Sequence, residues 1–329
     1  MESKNRNYGL SIVRLLAMVM IVVCHILQSQ SNNLCFYFNV GVYLFLFLSG
    51  FLYGGKKISD IITFFKKQGL KLYVPYLLTL IVIIIADIST GSTFSIKDML
   101  SSVLCLQWYK FTIPNCGHLW YVSCIIFCYA LIPLLQFMGE ALNTASKAYK
   151  WLAIVAVVVL MQLLYSFGAM PQEASKISCF VVAYFVACWR LYDVKFVRGG
   201  VLLPALFVCI LIYFGIYVLE DIYAFTAPTI IMSYYKMFLG AMFVLSFNCL
   251  NVAPKKCCCK LLGWSDKYSY GIYLFHHIFI LGSLSVMSLT SLKSVNIVVA
   301  ICFAIIAGCC VTQLSSIVSR LFNKSRIRG

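Results

Sequence analysis

Apolar residues run in long blocks along this chain, each about the length of one membrane-crossing helix, and the polar residues collect between the blocks. Ten such blocks can be drawn, near residues 10–27, 34–55, 70–88, 118–138, 151–167, 177–193, 201–219, 229–250, 268–289 and 294–318. Crossing the hydrocarbon takes about 20 mostly apolar residues as a helix, whereas strands of a transmembrane barrel alternate over roughly ten. The pattern predicts an all-α polytopic membrane bundle of about ten transmembrane helices, a single domain over residues 1–329. The first block follows Lys4 and Arg6 as a secretory signal would, but no small-x-small cleavage site follows it and Arg14 interrupts it, so it reads as a retained helix. Near 89–117 the stretch IKDMLSSVLCLQW is too short to span and suits the membrane surface. No linker, low-complexity tract or fixed-period repeat appears, and with SRLFNKSRIRG closing the sequence no appended soluble domain is expected.

Composition agrees with a lipid surrounding. Of 329 residues 62% are hydrophobic and 11% charged, with a mean hydropathy of +0.94, whereas an average soluble domain is about a quarter charged. Charge then predicts orientation. With ten spans, one set of loops carries twenty cations: Lys4, Arg6, Lys56, Lys57, Lys66, Lys67, Lys71, Lys147, Lys150, Arg190, Lys195, Arg198, Lys255, Lys256, Lys260, Lys267, Arg320, Lys324, Arg326 and Arg328. The opposite loops carry four, Lys97, Lys110, Lys176 and Lys293. By the positive-inside rule both termini are expected in the cytosol. The net charge of +16 is thereby a signal of topology and of attraction to anionic lipid, and no nucleic acid partner is expected. Sixteen cysteines lie mostly inside the apolar blocks, where a thiol behaves as a small hydrophobe. Cys257, Cys258 and Cys259 lack a second ligand pair, so no metal is expected there, and Cys105 with Cys116 is either a disulfide or two thiols.

Inside such a bundle each polar side chain is costly unless a partner or a wet cavity meets it, which makes the intramembrane polar residues candidates for function. In RLLAMVMIVVCH, Arg14 and His25 are eleven residues apart. At about 100° per residue they leave one helix face, about 16 Å apart along the axis. Arginine offers a planar fork that suits phosphate, and histidine exchanges protons near neutral pH; the bland alternative is a snorkelling arginine and an interfacial imidazole. His276 and His277 are adjacent in the ninth block; since neighbours on a helix point about 100° apart, one is expected to face a cavity and the other to be a packed ring. His118, in GHLWYV beside Trp120 and Tyr121, is either a site residue or part of an aromatic belt. Lys236 in SYYKMFLG is expected to point inward, pair, or bind an anion. Ser49 with Gly50 suits close helix approach. Dinucleotide, P-loop, HExxH and GxSxG patterns are all missing.

Taken together, Arg14 with His25, NVGVYLFLFLSGFLYG, KKQGLKLYVPY, GHLWYVSCIIFCYALIPLL and YSYGIYLFHHIFI, in this order, resemble the membrane acyltransferase family 3, ten-helix proteins that O-acylate surface glycans. The resemblance implies acyl-coenzyme A as co-substrate, acetyl-CoA by default, a carbohydrate hydroxyl as acceptor, and a multi-pass place in a bacterial inner membrane beside polysaccharide-synthesis proteins. His25 matches the family's essential histidine and Arg14 its coenzyme-facing arginine. Lys67 and Lys71 stand where relatives carry arginines, and lysine neutralises phosphate without the bidentate fork. Ser49, Trp120, Tyr273 and His276 match positions with a site-shaping role. His25 would serve as general base or carry the acyl group covalently, and Lys236 is a candidate for the developing oxyanion. Two other classes remain: a transporter or flippase of a lipid-linked or anionic sugar precursor, and a scaffold within a polysaccharide synthase, which leaves Arg14 and His25 without a task.

Overall fold

The computed structural model describes residues 6–107, 112–169, 174–193, 200–223, 227–250 and 255–324. Lys4, Lys110, Lys195, Arg198, Arg326 and Arg328, used above for orientation, and Trp108 lie outside them. Every regular element among the described residues is helical. In chain order these are α1 (Tyr8–Ser29), α2 (Cys35–Phe38), α3 (Val40–Gly54), α4 (Ile61–Gln68), α5 (Val74–Ser89), α6 (Ile96–Val103), α7 (Trp120–Ala141), α8 (Lys147–Ser166), α9 (Ala174–Cys188), α10 (Leu202–Tyr223), α11 (Thr229–Cys249), α12 (Lys256–Ile280) and α13 (Lys293–Lys324). The chain divides into two compact units, one of Met1–Cys24, Asn33–Lys57 and Cys128–Asp266, the other of His25–Asn32, Ile58–Phe127 and Lys267–Gly329.

Among the described residues eight helices are long and apolar enough to cross a membrane: Tyr8–Ser29, Cys35–Gly54, Ile61–Ser89, Gly117–Ala141, Lys147–Ser166, Leu202–Glu220, Thr229–Cys249 and Lys293–Leu321. Leu152, Val155 and Val159 on α8, Phe207, Leu211 and Ile212 on α10, and Val298, Ile306 and Ile317 on α13 are exposed, as lipid-facing side chains should be. The two remaining blocks differ from the expectation. Helix α9 has 15 residues, short of the roughly 20 that a span requires. The block expected at 268–289 is instead the second half of α12, a helix that starts at Lys256 and stops at Ile280. Lys256, Lys260, Asp266 and Lys267 make its first half polar. Past Ile280 the chain turns through Gly282 and Ser285, and the buried Asn296 of α13 holds that turn, donating to Met287 O and Thr290 O and accepting from Thr290 N and Oγ1 at 2.8–2.9 Å.

In the first unit α3 is the central helix, packed against α9 and α11, with α8 on α9 and α10 on α11. The sequence SGFLYG makes this possible. A Cβ on Gly50 would overlap Phe180 O, and one on Gly54 would overlap Tyr184 O, with Ala183 and Ala187 as the next contacts. Small residues at a spacing of four let two helices meet backbone to backbone. In the second unit Gly271 and Gly308 do the same for α12 and α13, and α13 also packs on α5.

Between α4 and α5, residues Gly69–Tyr73 form a single π-helical turn. Pro75 follows it and has no N–H to give to the carbonyl one turn back, and a widened turn removes the clash its ring would make there. In the stretch IKDMLSSVLCLQW an eight-residue helix forms: Ser95 accepts from Asp98 N while the Asp98 carboxylate accepts from Ser95 N, a capping box that opens α6. These bonds hold the Asp98 carboxyl below the usual carboxylate range. A buried chain then ties α6 to its neighbours. Tyr76 donates to Ser102 O, Gln107 to the Tyr76 hydroxyl, and Ser123 to Gln107 Oε1. Cys105 and Cys116 are both free thiols, and burial pushes Cys105 up to about 11.

If the α3–α9 contact governs the first unit, Gly54→Val should cost about 1–3 kcal/mol, as overpacking does. Thermal unfolding of the detergent-purified protein should show a lowered midpoint, and an unchanged one would contradict the contact.

Candidate active site

The chain has four histidines, and the second unit brings all four together. His25 sits one turn before the end of α1, His118 in the short 3₁₀ turn Gly117–Leu119 that leads into α7, and His276 and His277 near the end of α12. Ring centroids lie 5.1 Å from His25 to His276, 5.0 Å from His25 to His277, and 5.7 Å from His118 to His276. His118 and His277 are stacked, 4.4 Å apart with 13° between the planes. His276 and His277 are not expected to point at the same target, yet the His25 ring lies against both. Neighbouring side chains on a helix do diverge by about 100°, but a ring seated in the notch between them touches both.

Hydrogen bonds fix the rings individually. His25 Nδ1 donates to Gln28 Oε1, one turn on, at 3.0 Å, which makes Nε2 the acceptor nitrogen of the neutral ring. His118 Nε2 donates to Leu274 O at 3.0 Å, and His276 Nδ1 donates to Tyr273 O at 2.5 Å. The Tyr273 hydroxyl closes the arrangement by donating to His118 O. His118 Nδ1, His276 Nε2 and His277 Nδ1 are buried with no hydrogen-bond partner among the described residues. Orphaned buried polar atoms are uncommon and call for an explanation such as a reacting group or a bound molecule. Two imidazolium ions at these separations would repel by roughly 3 kcal/mol at an effective dielectric of about 20. Among the described residues no group of three His, Cys, Asp or Glu side chains is placed to hold a metal ion.

A buried carboxylate is linked to the His277 ring through Asn115. Asp87 of α5 is fully buried and accepts from Asn115 Nδ2 at 2.8 Å. Asn115 takes the left-handed conformation, φ 61°, which asparagine tolerates better than most residues, and its backbone meets the His277 ring.

The first unit holds a second constellation. Arg14 Nη1 donates to Asp266 Oδ1 at 2.5 Å, and Arg6 Nη2 donates to Asp266 Oδ2. The Ser11 hydroxyl donates to the same Oδ2 at 2.7 Å. Arg14 is thus neither an unpartnered cation nor a bare snorkelling one.

The remaining candidates fall elsewhere. Ser49 is half-buried on α3 and bonded to Tyr129, and Lys236 on α11 is close enough to act electrostatically on Cys24 and Cys35. Trp120 packs edge-on against Tyr121, 6.2 Å between centroids, while Lys67 and Lys71 are exposed on and after α4. Five contributors were missed. Asp87, inside IIIADIST, met the same test as the other intramembrane polar residues. Gln28 is one helical turn from His25. Asp266 is one of only ten acids, helix geometry alone hides the contact of His277 with His25, and Arg6 reads in the sequence as a topology signal.

A family model described as an acyltransferase domain matches residues 7–314. Neither a curated protein nor a solved structure matches. With a match over nearly the whole chain and eight helices fit to cross a membrane, the chain belongs to acyltransferase family 3 and is a multi-pass membrane acyltransferase.

Proposed function

We propose that this acyltransferase moves an acyl group, acetyl by default, from acyl-coenzyme A to a hydroxyl of a surface or lipid-linked glycan, with His25 as general base. The observation that carries the reading is the gathering of the other three histidines around His25, whose Nδ1 is already engaged by Gln28. A hydroxyl attacks a thioester poorly unless its proton leaves as the new bond forms, and a positioned imidazole contributes about 10²–10⁴-fold to such a step. His25 Nε2 accepts the hydroxyl proton while the oxygen adds to the thioester carbon. As the tetrahedral adduct collapses, the carbon–sulfur bond breaks and the proton passes from His25 to the departing thiolate. The net change is the acyl group moved from sulfur to oxygen and one proton from oxygen to sulfur, with the enzyme restored.

His118, His276 and Tyr273 shape the pocket around that imidazole, and the buried surroundings keep water from taking the acyl group. Arg14 lies eleven residues before His25 on the same helix. With the arginine-bearing end of α1 toward the cytosol, as the loop charges favour, Arg14 is suited to the coenzyme phosphates. Lys67 and Lys71 add exposed positive charge that draws an anionic donor toward the membrane.

His25→Ala should leave the protein in the membrane and lower donor consumption by at least about 100-fold. Mass spectrometry of the glycan, with an acetyl-CoA turnover assay on purified protein, reads this, and normal acylation by a well-expressed variant would remove His25 from the chemistry. Gln28→Ala should lower kcat about tenfold with little change in KM, while Gln28→Glu, which keeps an oxygen acceptor at the same reach, should retain most of the rate. Equal loss in both variants would mean that the amide oxygen does not orient the ring.

A further inference from the structure

Two arginines and one aspartate meet where a single arginine would balance the charge. Asp266 offers one oxygen to each guanidinium, Oδ1 to Arg14 and Oδ2 to Arg6, so neither arginine spends both prongs of its fork on the carboxylate. Ser11, buried one turn before Arg14, donates to Oδ2 and is itself within 3.4 Å of Arg6 Nε and Nη2. Among the described residues Asp266 is the one carboxylate paired with either arginine, and Arg14 uses a single nitrogen. Side-chain exposures of 29% for Arg6 and 27% for Arg14 leave both reachable. Gly263, one turn before Asp266 on α12, matters too: a Cβ there would come within 3.2 Å of Arg6 Nη1. The result is a pair of guanidinium groups held side by side with one net positive charge and spare N–H donors.

We propose that Arg6 and Arg14 form a single seat for a phosphate monoester, that of the acyl donor, with Asp266 as the positioning residue that sets the two guanidinium groups side by side. The proposal rests on the coenzyme A reading above and adds to it a second arginine and the carboxylate that organises the pair. A phosphate monoester carries about −1.5 to −2 charges and three acceptor oxygens near neutral pH. It thus matches a net-positive pair of forks better than a lone ammonium would. Lipid phosphodiesters offer related oxygen chemistry with a single charge.

The test compares acetyl-CoA with acetyl-3′-dephospho-CoA, which lacks only the phosphate monoester, as donors for the full-length protein in phospholipid-free detergent. Arg6→Gln should raise KM for acetyl-CoA about tenfold, leave kcat in place, and leave KM for the dephospho donor unchanged. Arg6→Lys, which keeps the charge and loses the fork, should recover only part of the difference. Asp266→Asn should raise the same KM selectively, and a second readout, the thermal midpoint, separates this from unfolding. If Arg6→Gln shifts both donors equally, or shifts neither, the seat is disproved while the acyl-CoA reading stands. If its effect appears only on adding anionic phospholipid vesicles, the seat belongs to a lipid headgroup and the donor assignment is overturned. Should wild-type protein consume neither donor while acylating its glycan, the coenzyme reading itself fails, and the seat with it.

Discussion

A polar side chain inside an apolar bundle is stable only where another polar group meets it, because in hydrocarbon no water replaces a missing partner. That constraint decides where chemistry can stand in this protein. Arg14 is met by Asp266, His25 by Gln28, Asp87 by Asn115 and Tyr76 by Gln107. Once such pairs are made, the places where a polar atom still lacks one become conspicuous. His118 Nδ1, His276 Nε2 and His277 Nδ1 all belong to one cluster, and the same cluster encloses His25. Other buried polar atoms also lack a partner among the described residues, Asp87 Oδ2 and Gln68 Oε1 among them, but only the histidine cluster gathers three such ring nitrogens in one place.

Electrostatics adds a second restriction. The histidines are close enough that a charge on one is felt by the rest, whereas the two arginines carry permanent charge and require a carboxylate beside them. A proton-handling group and an anion-holding group make opposite demands. Imidazoles must be able to stay neutral, and among the described residues their ring contacts are aromatic and not cationic, while the guanidinium groups gather around Asp266. α1 carries a member of each set, Arg14 near its start and His25 near its end.

Much of the fold was legible in the sequence because long apolar blocks leave few alternatives to membrane-crossing helices, and the eight helices that qualify coincide with eight of the ten blocks. What hydropathy misjudged was the block at 268–289. The apolar run there begins in mid-helix, because the charged turns from Lys256 to Lys267 continue the same helix backwards, and a hydropathy window cannot see helix that is polar. At the site, His25, His118, Tyr273 and His276 were legible from motif and position. His277 was not, because the argument from angular spacing ignored the width of a third ring. Asp266 and Arg6 escaped because residues at the edges of blocks read as loop charge, and only the fold discloses that Asp266 meets both arginines.

The meeting of α3 with α9 is made main chain to main chain, through Gly50 and Gly54 against the carbonyls of Phe180 and Tyr184. Helix α9 is brief for a membrane element, and it is buried on nearly every side. Its placement is thereby inherited from a helix some 130 residues earlier in the chain. Close packing of small residues against a neighbouring backbone thus supplies the anchorage that the length of α9 does not.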